Sequence, residues 1–136
     1  ARLLALEAVI LGRRAMGETV RELSFLDRWR IRRDGRLAFA DGTRLRGDAA
    51  DASAGLSALA GAGAFALVVL VAPDAAGRLD AVRAALAAIG TSAGASAWNG
   101  LLAARVLAPD GSALLRVLSA VLPVLHDDGV PRMWTI

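Results

Sequence analysis

The feature that most constrains the fold is an alternation of apolar and polar residues between Thr19 and Ala40. Its large apolar side chains stand at odd positions, a period typical of strands with one buried face. Asp34-Gly35 interrupts the pattern and favours a tight turn between two strands. The segment is therefore predicted to form a β-hairpin with an apolar face made of Leu23, Phe25, Trp29, Ile31, Leu37 and Phe39.

The length of that turn decides which side chains meet across the hairpin. A two-residue loop would pair Arg32 with Leu37 and bring charge onto the apolar face. A three-residue loop, with Gly35 in the left-handed conformation, pairs Ile31 with Leu37 and keeps that face apolar. We predict the second register.

The same register places a row of arginines on the opposite face: Arg28, Arg30 and Arg32, with Arg36 beside Arg32. At a rise of about 3.3 Å per residue, successive members stand about 6.6 Å apart. Because like charges placed opposite each other disfavour pairing, this face favours carboxylate partners. It is either an ordinary solvated strand face or a docking surface for an acidic partner.

The flanking segments are predicted from their composition. Residues 3–11 read as a buried strand, Asp41-Gly42 as a turn, and residues 1–46 together as a β-meander. Residues 47–63 are rich in Ala, Gly, Ser and Asp and are predicted as a loop, with a short helix near Ser57 as an option.

The C-terminal half, residues 64–136, alternates strand and helix signals. The predicted order is strand, helix, strand, strand, helix, strand, compatible with a ferredoxin-like split unit. The fold class is therefore predicted as α+β, mainly antiparallel strands with two α-helices in the C-terminal half, in a single domain over 1–136. The signals are an apolar strand at 64–72, a helix capped by Asp74 and ended by Gly90, a hairpin at Asn99-Gly100, a helix opened by Pro109-Asp110, and a strand at 132–136.

Composition excludes several kinds of site. The chain has no cysteine, which rules out disulfides, thiolate metal sites and a cysteine nucleophile. All 16 basic residues are arginine and the net charge is only +3, too modest to indicate nucleic-acid binding by itself. The strongly apolar run at 64–72 is too short for a membrane-spanning helix.

A second notable stretch runs from Glu7 to Glu18. An apolar run leads into Gly12, two arginines and then Met16-Gly17-Glu18. The glycine spacing imitates a phosphate-binding loop, but such a loop needs Lys where Glu18 stands, so nucleotide binding is rejected.

This stretch resembles the central signature of the UreD family of urease accessory proteins, called UreH in some systems. The matching residues are Glu7, Gly12-Arg13 and Met16-Gly17-Glu18, then Arg28-Trp29, Ile31, Arg33-Asp34-Gly35, Trp98-Asn99-Gly100-Leu101 and Pro131-Arg132-Met133-Trp134. Members of the family normally carry a β-rich half before this signature, and here the signature comes first. The chain is therefore expected to be a fragment or a processed piece.

The resemblance implies a non-catalytic maturation factor in the cytoplasm. Such a protein binds apo-urease and the accessory protein UreF, which carries the GTPase UreG, in a complex that could be dimeric. Nickel passes through in transit and no cofactor is tightly bound; oxygen ligands suit brief residence, because they are harder than nickel prefers. The residues assigned by position to the metal path are Glu7, Glu18 and Asp27, and those assigned to partner binding are Arg13, Arg28, Arg30, Arg32, Arg132 and Trp134.

Two other functions compete with this one. The arginine row would suit a basic module that binds nucleic acid or another polyanion, although Trp29 points into the core and offers no stacking platform. The only histidine, His126, is followed by Asp127 and Asp128, a group that would suit a metal ion or a small hydrolase. The sequence has no nucleophile elbow near it, so an enzyme is not predicted.

Overall fold

A computed structural model describes residues 2–11, 22–48, 62–90 and 92–127. Their contacts divide the chain into two compact units, one made of residues 1–14 and 62–136 and the other of residues 15–61. Most described residues lie in antiparallel strands, and the two α-helices come late, which confirms the α+β class. The expectation of a single domain stays a prediction.

The larger unit contains a four-stranded antiparallel sheet in the order β1-β4-β6-β5. Its strands are β1 (Leu3–Ile10), β4 (Ala64–Val71), β5 (Ser92–Trp98) and β6 (Leu101–Ala108). The segment from β4 to β6 has the split arrangement that the sequence predicts, since β6 lies between β4 and β5. The fourth position, beside β4, belongs to β1, so the expected meander over 1–46 is wrong.

Two helices pack on one face of this sheet. A single 3₁₀ turn, Ala76–Arg78, leads into α1 (Leu79–Ile89), and α2 (Gly111–Leu125) follows β6. The even-numbered residues of β4 and β6 form the floor of the core, where small and large side chains meet across the strands, as in the pairs Ala66 with Val106 and Val68 with Ala104. The helices cover that floor with Val82, Leu86, Leu114, Val117, Leu118, Val121, Leu122 and Leu125.

The helix boundaries test the residues that were predicted to begin and end the two helices. Gly90 ends α1 in the left-handed conformation, and the Asp110 carboxylate caps α2 by accepting from the Ala113 N–H at 2.8 Å. Asp74 does not cap α1, because the intervening 3₁₀ turn moves the N-cap to Arg78, which makes no side-chain cap bond. The predicted cap at Asp74 is therefore wrong.

The smaller unit contains one long hairpin. Strand β2 (Glu22–Arg33) pairs with β3 (Arg36–Asp48) through a two-residue loop in which Asp34 and Gly35 both have positive φ, 53° and 76°. The predicted three-residue loop is wrong. Residue Ala38 is instead inserted as a β-bulge, so that Arg32 pairs with Leu37 and Ile31 with Phe39.

The bulge restores only part of the predicted pattern: Ile31 faces Phe39, but Leu37 faces Arg32, so the predicted place of Leu37 on the apolar face is wrong. The bulge shifts the register by one residue just beyond the turn, so odd residues of β2 face odd residues of β3 along the rest of the hairpin. The strand β3 also continues through Asp41-Gly42, where Gly42 pairs with Arg28. The turn predicted there is wrong. A turn at Asp41-Gly42 would break the pairs between β2 and β3 that continue to Asp48.

Candidate partner-binding surface

The hairpin has two faces of different character. The odd-numbered residues from Phe25 to Ile31 and from Phe39 to Thr43 are half-buried or buried, and Phe39 is only 6% exposed. Its even-numbered residues on β2, from Leu26 to Arg32, are all exposed. The predicted alignment of Arg28, Arg30 and Arg32 on one exposed face is therefore confirmed, while their role in binding stays a prediction.

Across the strands, these arginines stand opposite small or apolar residues. Arg28 pairs with Gly42, Arg30 with Ala40, and Arg32 with Leu37. None of these three pairs places two like charges opposite each other, so the three arginines meet no like charge directly across the hairpin. Arg36 pairs with Arg33 at the turn, so its expected place beside Arg32 is wrong.

One more cross-strand pair extends the surface, with Leu26 opposite Arg44. Leu26 is 56% exposed and Leu37 is 51% exposed, so large apolar side chains lie at both ends of the arginine row. A shallow depression of about 430 Å³ is lined by residues 26–28 and Arg30 of β2 and by residues 40–44 of β3, including Asp27 and Asp41. We call the exposed face formed by Leu26, Arg28, Arg30, Arg32, Leu37 and Arg44 the arginine face.

Arg30 has a fixed position on the arginine face. Its Nη1 donates to the carbonyl oxygen of Trp29 at 2.8 Å and to that of Asp41 at 3.4 Å. Backbone oxygens are neutral acceptors, so the guanidinium keeps its charge, and its other N–H groups are left for a ligand.

The ion pairs of the described chain lie elsewhere. Between the residues that the structure describes, the salt bridges join Arg2, Asp74, Arg78 and Asp127, and none involves Arg28, Arg30 or Arg32. The carboxylates nearest in sequence, Asp27 and Asp41, stand at odd positions on the other face of the hairpin. Within the described residues, Arg28, Arg30 and Arg32 therefore have no salt-bridge partner.

Of the residues assigned to a metal path, the structure describes Glu7 in the larger unit and Asp27 in the smaller one. Glu7 is half-buried in the edge strand β1, and not in a fully buried strand as expected. Asp27 lies on the half-buried face of the hairpin, where its Oδ2 accepts from the Trp29 indole N–H at 2.9 Å. Glu18 lies outside the described residues, and in the ranges that are described no three His, Asp or Glu side chains form a metal-binding group.

Several other sequence predictions fall outside the described residues. They are the roles of Arg13, Arg132 and Trp134, the strand at 132–136 and the helix near Ser57. Trp98 is described, at the end of β5, and is 42% exposed.

Sequence reasoning missed an ion-pair cluster that ties three segments of the larger unit together. The Asp74 carboxylate accepts from Arg2 Nη1 at 2.6 Å and from Arg78 Nε at 2.8 Å. Arg78 also donates to the Val124 carbonyl at 2.8 Å and to Asp127 at 3.0 Å, at the C-terminal end of α2. The hydrogen bonds from Arg78 and Arg2 lower the pKa of Asp74 to about 2. The spacing of Asp74 and Arg78, four residues apart, was the available signal.

A second missed feature lies at the edge strand β5. The Nε and Nη2 atoms of Arg83, on α1, both donate to the Ala95 carbonyl oxygen, at 3.1 and 3.0 Å. Since β5 is the last strand of the described sheet, Arg83 binds a backbone acceptor of an edge strand.

None of the helices in the described ranges combines the length and the apolar character needed to cross a membrane.

Comparison with known proteins gives a consistent result. The family model described as "UreD urease accessory protein" matches residues 1–135. The chain is 46% identical over 134 residues to a protein from Methylobacterium sp. (strain 4-46) named urease accessory protein UreD, covering 94% of this chain and 47% of that protein. It is 44% identical to a protein of the same name from Rhizobium etli, covering 100% of this chain and 50% of that protein.

A third relative, urease accessory protein UreD 2 from Methylorubrum populi, is 46% identical over 136 residues, which make up 98% of this chain and 46% of the relative. The chain thus spans about half the length of the relatives that it matches. All three relatives are named as urease accessory proteins. The comparisons do not support a nucleic-acid-binding module.

Proposed function

The chain belongs to the UreD family of urease accessory proteins, and from this premise we propose that it acts as a non-catalytic scaffold in urease maturation. In this role it works in the cytoplasm with a UreF-type protein and a UreG-type GTPase and helps to deliver nickel to apo-urease. The family match over residues 1–135 is the observation that carries the proposal.

The chemistry of the chain is compatible with nickel as a cargo. The acidic residues proposed for the path are Glu7, Glu18 and Asp27, which offer oxygen atoms only. Such ligands bind nickel less firmly than imidazole or thiolate groups, which suits transfer because the ion has to leave as well as enter.

The docking role falls to the arginines. An arginine guanidinium presents a planar fork that matches a carboxylate and keeps its charge at any physiological pH. Arg28, Arg30 and Arg32 meet this need on the arginine face, and Arg13, Arg132 and Trp134 are proposed as further contacts.

Co-purification tests the partnership. The chain, carrying an affinity tag, is expressed with UreF-type and UreG-type proteins and with apo-urease, and the lysate is treated with nuclease before capture. We expect the accessory proteins to be retained, because protein contacts survive nuclease. Loss of all of them after nuclease treatment would instead indicate binding through nucleic acid and would contradict the proposal.

Substitution tests the metal path. We expect Glu18→Ala, and separately an Arg13→Ala and Arg14→Ala double variant, to lower urease activation more than they lower stability, since a charged insert between glycines is poorly explained by packing. The measurements are urease activity per urease protein and the thermal unfolding midpoint of each variant. Wild-type activation in both variants would remove Glu18 from the metal path and Arg13 from the partner contacts.

A further inference from the structure

In the smaller unit, the exposed arginines of the arginine face lie apart from the described carboxylates of β2 and β3. Among the acidic residues of β2 and β3 whose side chains are described, Asp27 and Asp41 are half-buried and stand at odd positions. The exposed face carries Arg28, Arg30, Arg32 and Arg44, and none of these forms a salt bridge with another described residue.

The spacing of the charges is regular. Arg28, Arg30 and Arg32 are alternate residues of β2, and alternate residues of a strand stand about 6.6 Å apart. A second extended chain has the same repeat, so carboxylates at every second residue of such a chain would match the three guanidinium groups in register. The exposed side chains of Leu26 and Leu37 lie at the two ends of the row.

The apolar ends distinguish between polyanions. A nucleic-acid backbone offers phosphates and sugars, and single strands are held by stacking on aromatic side chains. The aromatic residue nearest to the row, Trp29, stands on the other face and donates its indole N–H to Asp27. Exposed leucines next to arginines instead match a protein segment with both acidic and apolar side chains.

We propose that the arginine face binds an extended acidic segment of a partner protein, with carboxylates at alternate positions facing Arg28, Arg30 and Arg32 and apolar side chains reaching Leu26 and Leu37. This inference rests on the proposed function, because it assigns to one surface the docking that a maturation scaffold requires. The Arg30 guanidinium, already held by two backbone carbonyls, loses little freedom when it binds and anchors the register.

Fluorescence anisotropy with two labelled peptides tests the proposal. The probe is a twelve-residue peptide with Glu at positions 4, 6 and 8, Leu at positions 2 and 10 and Ser elsewhere, so that Glu and Leu share one face of the extended chain, and its control has Gln in place of every Glu. We expect the wild-type chain to bind the Glu peptide, less tightly at higher salt, because exposed ion pairs are screened over about 8 Å at physiological ionic strength. Equal binding of the Gln peptide would overturn the proposal.

Two double variants with the same loss of charge locate the site. Arg28→Gln with Arg32→Gln removes two charges from the arginine face. Arg33→Gln with Arg36→Gln removes two charges from the cross-strand pair at the turn, one residue further along each strand and thus on the other face. We expect the first variant to weaken binding of the Glu peptide roughly tenfold and the second less than threefold, as two exposed ion pairs can supply an effect of this size.

Other outcomes would overturn the inference. An equal loss in both double variants would show attraction by net charge alone. Tighter binding of a duplex DNA of arbitrary sequence than of the Glu peptide would assign the face to nucleic acid. Circular dichroism of both variants confirms that each is folded, as expected for exposed substitutions.

Urease activation separates this inference from the proposed function. If the wild-type sequence supports activation and the Arg28→Gln and Arg32→Gln variant supports it equally well, the inference fails while the proposed function stands. If the wild-type sequence supports no activation but peptide binding depends on the arginine face, the proposed function fails and the acidic-segment site stands as a binding surface in its own right.

Discussion

At the scale of single residues, the two best-defined polar groups of the larger unit are Asp74 and Asp110. Both follow a proline, and both look like helix caps in the sequence. Asp110 is one, whereas Asp74 binds two arginine side chains. The difference is that Arg2 and Arg78 lie within reach of Asp74 only in the folded chain.

The Asp74 cluster makes stability depend on pH. Folding lowers the pKa of Asp74 from 3.8 to about 2, so its contribution is present above pH 3.8 and is lost as the pH falls toward 2. We expect Asp74→Asn to lower the urea midpoint at pH 7 and to flatten the decline between pH 5 and pH 2. The measurement is the urea midpoint as a function of pH for both proteins. Parallel curves over that interval would contradict the role of the carboxylate charge.

The Asp110 cap predicts a stability loss of known size. Asp110→Ala removes the acceptor for the Ala113 N–H and should lower the free energy of unfolding by about 1 kcal/mol. Ser112→Ala is the matched control, since Ser112 is exposed in the same helical turn. Urea unfolding of the three proteins measures the effect, and an equal change in both variants would refute the cap.

At the scale of elements, the Arg83 side chain of α1 binds the backbone of the edge strand β5. Strand β5 is built from small residues with Trp98 at its end, and an open strand of this kind is a template for another chain. The groove beside it, of about 290 Å³, lies between β5 and α1. Arg83 crosses from the helix to bind the Ala95 carbonyl oxygen.

Removing the Arg83 side chain should promote association between copies of the chain. We expect Arg83→Ala to form dimers or larger species at concentrations where the wild-type chain does not, because the Ala95 carbonyl becomes available to an added strand. Light scattering after gel filtration measures the effect, with Arg116→Ala as a control that removes an exposed arginine from α2. The same oligomeric state in all three proteins would show that Arg83 does not protect the edge.

The elements also show what the sequence can and cannot predict. The turns at Asp34-Gly35 and Asn99-Gly100 follow from local chemistry, because both need positive φ, which Asn, Asp and Gly adopt most readily. The bulge at Ala38 left no such signal, since a small residue fits either register. The pairing of β1 with β4 joins segments more than fifty residues apart and cannot be deduced from periodicity.

The candidate site follows the same division. The odd and even alternation of β2 was sufficient to place Arg28, Arg30 and Arg32 on one exposed face. It could not show that Arg30 is held by the Trp29 and Asp41 carbonyls, because that contact depends on the register beyond the bulge.

At the scale of the whole molecule, the stability of the larger unit comes from one apolar layer between the sheet and its helices. Leu118 is fully buried in this layer, against the even-numbered residues of β4 and β6. The unit therefore has its own core.

Truncating that core should be costly. We expect Leu118→Ala to lower the free energy of unfolding by about 2–5 kcal/mol, through lost transfer energy and the cavity left behind. Leu37→Ala is the control, because Leu37 is 51% exposed on the hairpin. Urea unfolding followed by circular dichroism compares them, and similar losses in both would contradict the assigned core.

The central claim is the proposal that this chain, which spans about half the length of the UreD relatives that it matches, acts in urease maturation. The most direct measurement uses cells that lack their own UreD protein and express a chimera, in which this chain replaces the matching segment of the Methylobacterium relative. Nickel-dependent urease activity is then measured per urease protein, against the relative itself and an empty vector. We predict activity well above the empty vector; activity at the level of the empty vector, from a chimera that is expressed and folded as well as the relative, would contradict the account.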